Sequence, residues 1–172
     1  MKWEDFVDEV KRGYEIEKEK LIKELEYLKS NTGLRYEILS DKETKEYKKL
    51  WIDNILPKNA SASVKEEAYH VCTDYGDYLW HLFGFELVDT LENPTEEFNK
   101  LRKKNCTLVF EANKNFAVKL KNAEKLDEQS IIDLCNHVAG WCDFVITADD
   151  FSWAYSRTHE DGLCGPYFYR KD

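Results

Sequence analysis

The links in the second half of the chain constrain its fold more than anything else in the sequence. Thr107 to Glu111 and Phe116 to Leu120 are short apolar runs on either side of Asn113, Lys114 and Asn115. That spacing reads as a β-hairpin. Further on, Asp143 to Thr147, Phe151 to Thr158 and Pro166 to Arg170 read as three more strands. Ala148-Asp149-Asp150 joins the first two, and a loop through Asp161 and Gly162 joins the last two. Parallel neighbours need crossovers of roughly a dozen residues, so hairpin-length links predict antiparallel pairing.

The first half has a helical period instead. Trp3, Phe6, Val7, Val10 and Tyr14 recur at three and four residues, and Leu21, Leu25 and Leu28 continue the stripe. Glu17-Lys18-Glu19-Lys20 puts opposite charges on the solvent side, and Gly13 either divides the run or weakens it. Ser30 to Gly33 ends it with turn residues, and Leu34 to Leu39 reads as a short strand. Ser40 and Glu43 have capping-box spacing, predicting a helix to about Leu56 before Pro57. Short helices are expected at Val64 to His70, from Asn93-Pro94 through Lys104, and at Leu126 to Val138. The apolar run Leu79 to Leu87 reads as a buried strand. Helices first and strands last predict an α+β fold. Its sheet is largely antiparallel and formed mainly by the C-terminal half, with helices packed on one face.

With 172 residues, one domain is expected: an amphipathic helical segment over 1–30 and an α+β body over 31–172. The formal net charge is −9, which disfavours contact with nucleic-acid phosphates and favours a basic protein partner. The same charge is also ordinary for a soluble protein. No apolar h-region follows Met1, and no apolar run is long enough to span a membrane, so a cytoplasmic protein is expected. Cys72, Cys106, Cys135, Cys142 and Cys164 form no CxxC pair and are expected as reduced thiols. No metal site or cofactor is expected, and no Gly-rich phosphate loop is present. Cys142, His159 and Cys164 are the cysteines and histidine most able to converge, yet they lack the spacing of a structural zinc site. Cys164 near His159 lacks the surroundings of a known nucleophile.

The stretch Phe151 to Gly162 is the most informative. Strand alternation puts Phe151, Trp153, Tyr155, Arg157 and His159 on one face and Ser152, Ala154, Ser156 and Thr158 on the other. Arg157 is suited to an anion and His159 to a proton, beside aromatic surface. Glu160 and Asp161 stand at the turn, where they would orient a basic partner or bind a metal. The candidate binding residues are therefore Trp153, Tyr155, Arg157, His159, Glu160 and Asp161. Thr158-His159-Glu160-Asp161-Gly162 also reads as an ordinary polar turn after a core strand. His81, inside an apolar run, reads as a core histidine.

Leu79-Trp80-His81-Leu82-Phe83, the stretch Asn105 to Phe110, and Trp153-Ala154-Tyr155 with Thr158-His159-Glu160 and Gly165-Pro166-Tyr167-Phe168 resemble a small bacterial family of unknown function. The resemblance runs from about the second helix to the C-terminus. It implies a cytosolic bacterial protein and supplies no activity, cofactor or catalytic residue.

The leading expectation is a binding protein without catalysis, similar to immunity proteins that neutralise basic toxin domains. An alternative is a small enzyme or ligand-binding domain with a pocket around Trp153, Tyr155, Arg157 and His159. A third is an oligomeric scaffold using the N-terminal helix.

Overall fold

A computed structural model describes residues 3–73, 78–111, 116–140, 143–160 and 162–171. The amphipathic stripe at the start becomes one helix, α1 (Trp3–Thr32), which runs through Gly13 without a break. A mid-helix glycine costs only about 1 kcal/mol, too little by itself to break the helix. Leu21 and Leu25 are fully buried, and Tyr14 stacks on Phe116 at 5.0 Å between ring centres. The first turns carry Trp3 and Phe6 exposed. Gly33, at φ 79°, takes the left-handed conformation that stops the helix.

Strand β1 (Arg35–Ile38) follows, then α2 (Asp41–Ile55). The predicted capping box is complete. The Glu43 N–H donates to Ser40 Oγ at 3.4 Å, and the Ser40 N–H donates to Glu43 Oε2 at 2.8 Å. Removing such a cap costs about 1 kcal/mol. Ser40→Ala is therefore expected to lower stability by about that amount in urea unfolding; an unchanged midpoint would show that tertiary packing alone sets this helix start. Thr44, Lys48, Trp51, Ile52 and Ile55 form the buried stripe of α2. Trp51 Nε1 donates to Thr147 Oγ1 at 2.8 Å, tying the helix to the sheet.

Next come α3 (Ala62–Thr73), α4 (His81–Gly84) and α5 (Pro94–Lys100). The hairpin strands are β2 (Asn105–Phe110) and β3 (Phe116–Lys121); their expected turn at Asn113, Lys114 and Asn115 lies outside the described residues. The chain continues with α6 (Glu128–Ala139), β4 (Phe144–Ala148), β5 (Trp153–Arg157) and β6 (Tyr167–Arg170). The expected strand at Leu79 to Leu87 is instead α4 with flanking turns, held by Phe83 N–H to Trp80 C=O at 3.0 Å and Phe85 N–H to His81 C=O at 2.9 Å. A short, wholly apolar run has no period to separate strand from helix.

The fold is α+β, and all pairings of its six-stranded sheet are antiparallel, in the order β1-β3-β2-β4-β5-β6. Helices cover both faces of the sheet, not the single face expected. On one side Leu108, Phe110, Phe144, Ile146 and Tyr155 pack with Leu21 and Leu25 of α1, Phe98 of α5, and Ile131 and Leu134 of α6. On the other, Val109, Val145 and Ala154 pack with Trp51, Val71 and Phe83 from α2, α3 and α4. The sign in the sequence was Leu108-Val109-Phe110 and Phe144-Val145-Ile146. Continuous apolar runs, not alternation, belong to strands buried on both faces.

Candidate functional site

β5 places the predicted residues, and its alternation begins only after Phe151. That residue has φ 57°, so it turns to the opposite side and stacks on Tyr47. Trp153 and Tyr155 enter the core beneath α1, α5 and α6, with Tyr155 stacked on Phe98 at 4.4 Å between ring centres. Both are buried.

Tyr155 and Arg157 converge on one carboxylate, that of Glu128 in the first turn of α6. The Tyr155 hydroxyl donates to Glu128 Oε1. Arg157 Nη1 donates to the same oxygen at 2.7 Å and Thr95 Oγ1 does so at 3.2 Å. Burial, then the bond to Glu128, pushes the Tyr155 phenol well above its ordinary value, so it stays a donor. Asn99 Oδ1 accepts the Glu128 N–H at 3.0 Å and fixes the helix start. The cluster pins α6 and α5 to β5.

His159 belongs to a different group. Its backbone N–H donates to Asp143 Oδ1, and its ring Nδ1 lies 2.6 Å from Asp143 Oδ2. Since a carboxylate accepts, Nδ1 holds the proton and Nε2 is the basic nitrogen of the ring. Asp143 is buried just ahead of β4, and burial, opposed by the bonds from His159, raises its pKa. The His159 side chain keeps 38% of its surface.

Glu111, at the end of β2, is fully buried on the face that packs α2 to α4. It accepts the N–H groups of Leu79 and Trp80, and Lys48 Nζ lies 3.8 Å from its Oε1. Burial pushes its pKa up to about 7 against the pull of Lys48 and the two N–H donors, and Asp143 adds to the rise. Burial, and then the charges of Asp143 and Glu111, raise the Tyr78 phenol above its ordinary value. From Tyr78 a row of rings continues outward. The His81 ring meets Tyr78 edge-on at 5.5 Å and Phe85 edge-on at 5.5 Å, and Phe85 is 50% exposed. His81 Nδ1 also lies 2.7 Å from the Val71 carbonyl oxygen, which fixes its ring.

Glu160 engages Cys164. That hydrogen bond, and then burial, raises the Cys164 thiol and makes it a poor nucleophile. Cys72, Cys106, Cys135 and Cys164 are free thiols. Asp161 and Cys142 lie outside the described residues. Among the described residues no group of three His, Cys, Asp or Glu side chains is placed to hold a metal ion. No helix among them is long and apolar enough to cross a membrane.

The structure thus separates Trp153 (core), Tyr155 with Arg157 (on Glu128), His159 (on Asp143) and Glu160 (on Cys164). Glu128, Asp143, Glu111 and Lys48 complete these groups and were not singled out from the sequence. Only the first-turn placement of Glu128 behind a capping Asp127 left any trace there.

The arrangement is that of an antiparallel α+β protein with helices on both sheet faces and paired buried charges at one end of the sheet. The chain belongs to a family described as a domain of unknown function, DUF4275, whose model matches residues 34–168. No curated protein and no solved structure matches the chain.

Proposed function

We propose that this protein is a cytosolic binding protein without catalysis of its own, of the immunity type, which neutralises a basic toxin domain. The ring row Tyr78, His81 and Phe85, which ends on the half-exposed Phe85, carries the reading. Aromatic anchors set in fixed surroundings supply most of the energy of protein interfaces. A formal charge of −9 speeds encounter with a cationic partner. Tyr155 and Arg157 are spent on Glu128, so they serve the scaffold that presents this surface. The test is co-expression with the product of the gene beside its own. A stable complex is expected, and cells making both should survive what the partner alone kills. Phe85→Ala should weaken the complex by tenfold or more, the loss typical of a hot-spot ring. Absence of a complex and of protection removes the reading.

A second reading, a small enzyme, is favoured by the Asp143–His159 pair alone. A carboxylate that fixes the tautomer of a half-exposed histidine is the arrangement of a general base. It ranks second because the described residues bring it neither an activated nucleophile nor a set of oxyanion donors, and Cys164 is held protonated.

A further inference from the structure

We infer that the outer corner of the sheet, where β1 pairs with β3, binds a phosphoryl group. Arg35 stands directly opposite Lys121, and two positions along Glu37 stands opposite Lys119. Tyr36 and Ile38 between them pack toward α1, so the charged side chains alternate onto the other face, where all are exposed. Together they line a groove of about 210 Å³. Like charges directly opposed across two strands destabilise a sheet. Glu37 offsets one cation, and Glu43, which is bonded to Ser40 and feels the charge of Lys119, offsets part of a second. The corner still keeps a net positive charge within a chain of formal charge −9.

A dianion held over the paired strands, among these side chains, turns this repulsion into attraction. The Arg35 guanidinium offers a planar fork and the two ammonium groups offer point charges, a set that matches the oxygens of a phosphoryl group. Charges more than about 8 Å away are screened at physiological salt, so the acidity of the rest of the chain does not cancel the local field. The source is either free phosphate or a phosphomonoester. This site lies apart from the ring row and does not depend on the binding reading above.

The test compares thermal unfolding and backbone amide shifts of the full chain in sodium chloride, inorganic phosphate and phosphoserine at equal ionic strength. Phosphate or phosphoserine should raise the Tm by about 2–4 °C over chloride. The amide shifts should centre on Arg35, Lys119 and Lys121. Tighter binding of phosphoserine assigns the site to an ester, and tighter binding of phosphate to the free anion. Lys121→Glu, an exposed substitution that replaces repulsion by attraction, should fold and lose the phosphate response, and Arg35→Gln should lose it as well. A wild-type response no larger than that to chloride, or a Lys121→Glu chain that keeps the response, overturns the proposal.

Discussion

Glu111 is expected to remove on the order of 3 kcal/mol of stability as the pH rises from about 4.5 to above 7. Its pKa is near 4.5 in the unfolded chain and about 7 in the folded protein. A raised pKa means that the folded state binds the proton more tightly than the unfolded one. The contribution is therefore complete below pH 4.5, falls as the pH passes through the window, and is gone above 7. Asp143, also raised by burial, adds in the same direction. Burial is the cause, since Lys48, the Leu79 and Trp80 amides and their hydrogen bonds all favour the charge and still lose. Chemical unfolding of the wild type and of Glu111→Gln at a series of pH values measures it. Glutamine keeps an acceptor for the Leu79 N–H but cannot titrate, so the slope across this window should shrink. The slope is the decisive quantity, because Glu111→Gln also takes the counter-charge from buried Lys48. An identical slope in the two chains would assign the pH dependence to other groups.

Glu128→Ala should cost about 3–5 kcal/mol, the range for breaking a buried ion pair by removing one partner. It would leave the Tyr155 hydroxyl without its carboxylate and the Arg157 guanidinium without the oxygen it meets at 2.7 Å. The change also removes the side-chain tie of α6 to Thr95 of α5 and to β5, leaving the Glu128 N–H on Asn99 as the remaining hydrogen bond described between α5 and α6. Glu128→Leu combined with Arg157→Met should recover much of the loss, since apolar replacements of a buried pair are often nearly neutral. Denaturant unfolding of the wild type, Glu128→Leu, Arg157→Met and the double variant gives the coupling energy of the pair. A cost under about 1 kcal/mol for Glu128→Ala would mean that water reaches the cluster and the pair is a surface one.

The sheet was legible wherever its logic is local. Hairpin-length links predict the antiparallel neighbours, and Ser40 with Glu43 predicts the start of α2, because both signals sit within a few residues of what they determine. The number of covered faces was not local. It depended on reading the apolar runs of β2 and β4 as two-sided burial, and the clustering of strands late in the chain pointed the other way. α4 was missed for a related reason. Gly84 sits where an added Cβ would lie 3.0 Å from the Trp80 ring, a tertiary fit that gives the sequence no period.

The site was legible in part. Tyr155 and Arg157 share a face as alternation predicts, and they meet at Glu128. Phe151 leaves that face because its positive φ resets the alternation, which residue identity does not announce. The partners that decide the chemistry are distant in sequence: Glu128 from Arg157, Asp143 from His159, and Lys48 from Glu111. Each acid reads on its own as an ordinary charge at the end of an element. The folded neighbours give it meaning.

The strand order also bears on how the molecule opens. From β2 onward, each pairing joins strands with at most one strand and one helix between them. β1 alone pairs with a partner that lies beyond α2, α3, α4 and α5. Closing so long a loop costs more entropy than any other pairing in the sheet, and β1 repays it with only four residues. Its ladder is therefore the part of the sheet that exchanges its amide protons first, opening locally while the strands from β2 to β6 stay protected.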